Sequence, residues 1–230
     1  MLLLNVTLQL LEGLLYTLII FASTLIFALP LGLAIAFGSM SKNKVLSKIT
    51  RTFVWIIRGT PLMLQIIFFD LGPGLLSNFM SQHFDWWKLN FAVRVPTHHL
   101  IMVCVAFTIN YACYFSEIYR GGIQGVPQGQ HEAAAVLGLT KSQTFSKVIF
   151  LQVLKRIIAP MSNEIITLVK DTALASVVIR VDLFTVAKEV VNKEVILWPI
   201  FYAGVFYLLI NGLLTILLGK LEKKLDYFKV

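Results

Sequence analysis

Polar side chains interrupt one apolar run of this sequence and are its best candidates for chemistry. The run covers about residues 157–179 and contains Asn163, Glu164, Thr167, Lys170 and Asp171. On a helix, positions 163, 167, 170 and 171 fall roughly on one face, and position 164 lies beside it. Ionisable residues within apolar runs commonly mark a solute path or a proton relay. A structural reading stays open, in which Lys170 and Asp171 pair or extend to a membrane interface and bind nothing.

A second polar group lies within residues 58–65. Here Arg58, Thr60 and Gln65 stand in another apolar run, together with the helix-weakening Gly59 and Pro61. A kink beside a basic residue would help to shape a gate, and simple extension of Arg58 toward an interface explains the same residues equally well. Thr60 and Gln65 are therefore the weaker candidates for a solute path.

The sequence lacks the residue sets that usually carry catalysis or bind metals. It contains no Gly-x-Ser-x-Gly, His-Glu-x-x-His or Cys-x-x-Cys motif. The 2 cysteines, Cys104 and Cys113, lie in one apolar run without further ligands, which favours buried small side chains. These observations argue against an intramembrane enzyme and predict no metal site.

The composition indicates a polytopic membrane protein. Hydrophobic residues make up 57% of the chain and charged residues 14%, whereas soluble domains are typically about 25% charged. Apolar runs near the ~20 residues that a spanning helix needs lie at about residues 14–37, 53–71, 99–118, 157–179 and 197–218. Because backbone groups in hydrocarbon must be satisfied internally, we expect an all-α fold with about five transmembrane helices. We treat residues 1–230 as a single transmembrane domain.

The basic residues predict the orientation of these spans. The net charge of +8 comes from residues that flank apolar runs, which is a membrane pattern and not that of a nucleic-acid-binding surface. The first and third loops and the C-terminal tail are the basic segments, and the other two loops are balanced. The positive-inside rule therefore places the N-terminus outside and the C-terminus in the cytoplasm.

The cytoplasmic loop at about residues 120–155 is expected to hold two short helices that meet at Gly138. Residues 130–137 are mostly good helix formers, and Gly138 is suited to a left-handed C-cap. Thr140 is a candidate N-cap for the second helix. Two uses stay open for this loop: it contacts lipid headgroups, or its thin, alanine-rich surface enters a groove on a partner protein.

Several motifs occur in a fixed order along the chain. They are residues 58–62 (RGTPL), 117–123 (EIYRGGI), 126–130 (VPQGQ), 132–138 (EAAAVLG), 163–164 (NE) and 170–172 (KDT). In this order and spacing, residues 114–178 resemble the signature region of bacterial ABC importer permeases. The nearer resemblance is to the polar amino acid group, of the histidine, glutamine and lysine/arginine type. One departure is Leu151, where the family usually has Pro, and we expect a straighter entry into the fourth span.

The resemblance implies a role for the cytoplasmic loop and a set of partners. Glu132, Ala133, Ala134 and Gly138 would form the coupling loop that docks into a groove on a separate ATPase subunit. Two ATPase copies, a second permease (itself or a sister chain) and an extracytoplasmic amino-acid-binding protein would complete the system in the bacterial inner membrane. The chain itself lacks a Gly-x-x-x-x-Gly-Lys-Ser/Thr phosphate loop. ATP and Mg²⁺ are therefore expected on the partner, and no cofactor on this chain.

The resemblance also gives the polar residues of the fourth span a substrate. A zwitterionic amino acid needs an acceptor for its ammonium group and donors for its carboxylate, and Glu164 with neighbouring amide and hydroxyl groups supplies part of this. The alternative reading is an ion-coupled secondary amino acid transporter, in which Glu164 and Asp171 form a proton relay. Dependence on a separate ATPase distinguishes the two readings.

Overall fold

The computed structural model describes residues 2–83, 96–179 and 181–225, and the regular secondary structure within these ranges is helical. Met1, residues 84–95, Arg180 and residues 226–230 lie outside the described residues. The helices are α1 (Leu2–Ser39), α2 (Lys44–Gly59), α3 (Leu62–His83), α4 (Pro96–Gln124), α5 (Gln128–Val136), α6 (Lys141–Thr144), α7 (Phe150–Asp171), α8 (Leu183–Glu194) and α9 (Trp198–Leu225). The predicted all-α fold is confirmed.

Within the described part of the chain, 4 helices are long and apolar enough to cross a membrane. They are α1, α3, α4 and α9, and three of them correspond to the first, third and fifth predicted spans. The predicted fourth span is α7, whose 22 residues give a length of about 33 Å. Helix α7 is long enough to span a membrane, but it contains too many charged residues to count among the 4 apolar helices.

The second span lies further along the chain than the predicted 53–71. Helix α2 ends at Gly59, Thr60 is extended (φ −110°, ψ 143°), and α3 begins only at Leu62. The cause is Pro61, which lacks an N–H group and pushes the residue before it out of the helical region. The spanning helix is therefore α3, and α2 is a separate amphipathic helix with an N-cap at Asn43.

Helix α4 forms the centre of the molecule and packs against α1, α2, α3 and α7. Its buried side chains include Val103, Phe107, Tyr111 and Phe115. Gly32 of α1 faces this helix so closely that a Cβ atom there would lie 2.9 Å from the Ala112 carbonyl oxygen. Close approach of backbones through small residues is the usual way in which membrane helices pack.

The helix that enters the membrane from the loop is longer than the sequence suggested. The second short helix predicted for the loop is α6, and it is only the first turn of a longer helical segment. After α6 the chain continues through a π-helical segment, Phe145–Ile149, into α7. The helical conformation therefore extends from Lys141 to Asp171. With Leu151 in place of a proline, α7 passes through that position without a break.

Substituting alanine for Gly32 should separate α1 from α4. The added Cβ would meet both the Ala112 carbonyl oxygen and the Phe115 Cβ at 2.9 Å, so we expect a loss of about 1–3 kcal/mol from overpacking. Gly212→Ala in α9 is the matched control, because nothing lies within 4 Å of a Cβ there. Thermal unfolding in detergent should show a lower midpoint for Gly32→Ala only. Equal midpoints would contradict the tight α1–α4 contact.

Candidate functional site

A polar cavity of about 480 Å³ lies between the α2–α3 junction, α4 and α7. Its volume is within the range of about 300–1,000 Å³ that is usual for small-molecule sites. The residues that line it are Arg58, Gly59, Thr60, Pro61, Leu62, Asn110, Tyr111, Tyr114, Glu164, Thr167 and Asp171. One cationic and two anionic side chains thus share one space with hydroxyl and amide groups.

The α7 wall of the cavity carries only part of the predicted polar set. Glu164, Thr167 and Asp171 are spaced i, i+3 and i+7, so they lie on one helical face, and all three line the cavity. Asn163 and Lys170 are exposed and lie outside the lining. The structure therefore brings position 164 onto the cavity face and leaves positions 163 and 170 off it.

The α4 wall contributes aromatic residues that the sequence analysis missed. The Tyr111 hydroxyl donates a hydrogen bond of 2.8 Å to Oδ2 of Asp171, and Tyr111 is only 1% exposed. This bond fixes the orientation of one of the two carboxyl groups in the cavity. A pattern in the sequence could have identified this wall of the cavity. Asn110, Tyr114 and Glu117 are spaced so that their polar groups lie along one face of an apolar helix.

Gln65 joins the broken ends of α2 and α3. Because Pro61 has no N–H, the Ile57 carbonyl has lost its helical donor, and Nε2 of Gln65 donates to that oxygen at 2.7 Å. The same amide donates to Thr60 Oγ1 at 2.8 Å. Gln65 is 6% exposed and lies behind the cavity lining. The predicted path residues Thr60 and Gln65 therefore differ: Thr60 faces the cavity, and Gln65 holds the lining in place.

Asn110 links this junction to α4. Its Nδ2 donates to Oε1 of Gln65 at 3.0 Å, and the bond is buried. The Gln65 side chain thus uses both its donor and its acceptor groups. Satisfied amides are favourable in an apolar environment, where an unpaired polar group is costly. The junction, α3 and α4 are consequently held at a fixed separation around the cavity.

Arg58 occupies the end of the cavity that is predicted to face the cytoplasm. Its guanidinium lies 4.9 Å from the ring centroid of Tyr114 and 3.8 Å from Oε2 of Glu117. Arg120 also holds Glu117, with two bonds of 3.0 and 2.6 Å. Glu117 is therefore shared by Arg120 and Arg58. The aromatic face and the carboxylate together orient the cation beside the cavity.

Gly138 ends α5 as the sequence predicts. Its φ is +71°, and the Leu139 N–H donates to the Ala134 carbonyl while the Gly138 N–H donates to the Ala135 carbonyl, both at 3.0 Å. This pair of bonds is the Schellman motif. Thr140 then caps the next helix through reciprocal bonds with Gln143. The predicted C-cap and N-cap are both confirmed.

The outer surface of the loop is available to a partner. Glu132 and Ala133 are exposed, whereas Ala134 is the buried residue of α5. Val136 and Leu137 are 87% and 77% exposed. Two apolar side chains so exposed beside a charged one, on a segment with a fixed helix end, are typical of an interaction surface.

Comparisons with known proteins identify relatives over almost the whole chain. The family described as binding-protein-dependent transport system inner membrane component matches residues 28–227. The arginine ABC transporter permease protein ArtM of Haemophilus influenzae is 31% identical over 219 residues, which cover 95% of this chain and 92% of the relative. The L-cystine transport system permease protein TcyB of Bacillus subtilis is 34% identical, with 94% and 86% covered.

A solved structure has the same fold. The crystal structure of an amino acid ABC transporter with histidines contains a chain that superposes with a TM-score of 0.79 at 27% identity. The superposition covers 96% of each chain. The motifs in residues 58–172 and the helical architecture therefore point to the same family.

Removing the Gln65 amide should destabilise the α2–α3 junction. Gln65→Leu leaves the Ile57 carbonyl and the Asn110 amide without this partner, and we expect a loss of about 1–3 kcal/mol. Gln65→Glu keeps the shape and the acceptor but has no amide donor, so it should also destabilise. Gln9→Leu, at an exposed position of α1, is the control. Unfolding midpoints in detergent that match the unmodified protein for both Gln65 variants would contradict this role.

Proposed function

This chain belongs to the family of binding-protein-dependent transport system inner membrane components, and we propose that it moves polar amino acids across the membrane as one subunit of an ATP-driven importer. As a family member it is a multi-pass inner membrane permease, which favours the ABC importer reading over the ion-coupled transporter. The substrate class, the path and the partners are the parts that we propose here.

The cavity between α2–α3, α4 and α7 is the observation that carries the substrate proposal. An amino acid presents an ammonium group and a carboxylate. The carboxyl groups of Glu164 and Asp171 suit the ammonium, and Arg58 suits the carboxylate. The hydroxyls of Thr60 and Thr167 add donors and acceptors around the same space. Asn163 and Lys170, outside the lining, would act on the path only in another conformation.

The proposed partners follow from the family and from the exposed loop. An ATPase subunit, in two copies, would receive Glu132, Ala133 and Gly138 in a groove on its surface, whereas the predicted contact residue Ala134 is buried within this chain and would support the loop from inside. ATP and Mg²⁺ would be bound there, and no cofactor on this chain. A second permease, either another copy or a sister chain, would complete the membrane unit, and an extracytoplasmic binding protein would deliver the amino acid.

The direct test of these partners is purification of the chain from its native membrane in mild detergent, followed by mass spectrometry. We expect an ATPase subunit with a phosphate loop to co-purify. We also expect Glu132→Ala to weaken its recovery. An isolated chain that transports amino acids alone would contradict the proposal and would support the ion-coupled alternative.

Substitution of Gly138 should uncouple ATP hydrolysis from transport. The φ of +71° is strained for a branched side chain, at a cost of about 1–2 kcal/mol, and nothing lies within 4 Å of an added Cβ. Within this chain Gly138→Val should therefore act through the backbone, and it should reduce the uptake per ATP hydrolysed while the protein stays inserted. Gly138→Asn, which tolerates this conformation, should retain most of the uptake. Equal uptake by the two variants would argue against a role for the loop geometry.

Neutralising the carboxyl groups of the cavity should reduce uptake. Because a hydrogen bond to a charged group contributes about 1.5–3 kcal/mol, Glu164→Gln or Asp171→Asn should lower kcat/KM for the amino acid about tenfold or more. Asn163→Ala is the control on the same helix, outside the lining. Uptake assays in membrane vesicles, normalised to the amount of inserted protein, would measure the difference. A larger loss at Asn163 than at Glu164 would show that the path follows another face of α7.

A further inference from the structure

The carboxylate of Glu117 lies between two arginines, and the two hold it very unequally. Arg120 donates to it twice, from Nε to Oε1 at 3.0 Å and from Nη2 to Oε2 at 2.6 Å. Nη1 of Arg58 lies 3.8 Å from Oε2, which is an ion-pair distance but too long for a hydrogen bond. Arg120 alone therefore keeps the carboxylate in place, and the approach of Arg58 from a different helix is not needed for that purpose.

Arg58 also belongs to the proposed substrate cavity, whereas Glu117 is not part of its lining. The Arg58 guanidinium lies over the ring of Tyr114, which lines the same space. In the part of the chain that the structure describes, this guanidinium contacts Glu117 and the Tyr114 ring but makes no direct hydrogen bond. Its N–H donors are thus available to an anion on either side, a substrate carboxylate in the cavity or Glu117 outside it.

On the basis of the function proposed above, we propose that Glu117 competes with the substrate carboxylate for Arg58, and that Arg120 limits this competition. A guanidinium shares one positive charge among the anions beside it, so a freer Glu117 draws Arg58 away from the substrate. A neutral residue at position 117 leaves Arg58 to the substrate. Glu117 and Arg120 are positioning residues that act through Arg58 and set how tightly the amino acid is held.

The place of Glu117 along α4 suits release toward the cytoplasm. Tyr114 and Glu117 are three positions apart, so they lie on one face of the helix. Glu117 is the nearer of the two to the end of α4 that is predicted to be cytoplasmic. Arg58 therefore lies between the substrate space and an acid on the exit side. An acid in this place shortens the hold of the cation on the substrate, and a tightly held substrate would leave slowly.

Equilibrium binding to the purified transporter, with its ATPase subunits bound and without ATP, tests the proposal. The probes are L-histidine, L-glutamine, L-lysine and L-arginine, each radiolabelled. Because the Arg58 side chain is 41% exposed, its ion pair with Glu117 is expected to change affinity about twofold to fivefold. Glu117→Gln keeps the size of the side chain and should tighten binding by that factor. Glu12→Gln, at an exposed position of α1, removes the same charge and should leave binding unchanged.

Arg120→Gln should have the opposite effect. It removes the two bonds that hold Glu117, so Glu117 competes more strongly for Arg58 and amino acid binding should weaken about twofold to fivefold. In uptake assays Glu117→Gln should lower KM and kcat together, because a substrate that is held more tightly leaves more slowly. Arg120→Gln should raise KM. A purely structural role of the Glu117–Arg120 pair predicts weaker binding in both variants, and that result would overturn the competition.

Arg58→Gln separates a failure of the competition from a failure of the proposed function. It should weaken amino acid binding, and Glu117→Gln should add nothing in that background, because the competition acts through Arg58. An effect of Glu117→Gln that persists without Arg58 would overturn the competition. So would weaker binding in Arg58→Gln together with unchanged binding in Glu117→Gln, and in that case the substrate role of Arg58 would stand. Failure of the unmodified transporter to bind any of the four amino acids would contradict the proposed function itself.

Discussion

The missing N–H group of Pro61 is the constraint on which the arrangement of this permease depends. An apolar environment leaves no water to satisfy the Ile57 carbonyl, so a side chain must do so. Gln65 fills that role at 2.7 Å and is itself held by Asn110 of the central helix. The chain can therefore break and turn between α2 and α3 while the Ile57 carbonyl oxygen keeps hydrogen-bond donors, from Gln65 and from the Thr60 hydroxyl at 3.3 Å. The break is what brings Arg58 and Thr60 to the cavity.

The loop and the cavity are connected through one helical segment. From Lys141 the chain stays helical through the π segment and α7 to Asp171, and its far half carries Glu164 and Asp171. The loop end of this segment is fixed by the Gly138 and Thr140 caps. A force on the loop thus acts on the same helix that carries the carboxyl groups. The π segment and Pro160 are the irregular points at which that helix can bend.

The sequence predicted the features that depend on local chemistry. The Gly138 and Thr140 caps follow from residue type alone, and the apolar runs located α1, α4 and α9. The second span was misplaced because hydropathy continues across Pro61, whereas the backbone does not. Lys170 and Asn163 were grouped with Thr167 and Asp171 by helical spacing, yet only the packing of α7 against α4 decides which of two adjacent faces meets the cavity. Tyr111 was missed because its hydrogen-bond partner, Asp171, lies on another helix. Only the packing of α7 against α4 brings the two side chains together.

The most direct measurement is uptake of a radiolabelled amino acid into proteoliposomes that contain this chain with its co-purified partners and binding protein. The account predicts uptake that requires ATP together with the ATPase subunit and that persists when proton and sodium gradients are abolished. Uptake that continues without ATP and stops when the ion gradients are collapsed would contradict it. That result would instead make Glu164 and Asp171 members of an ion-coupled relay.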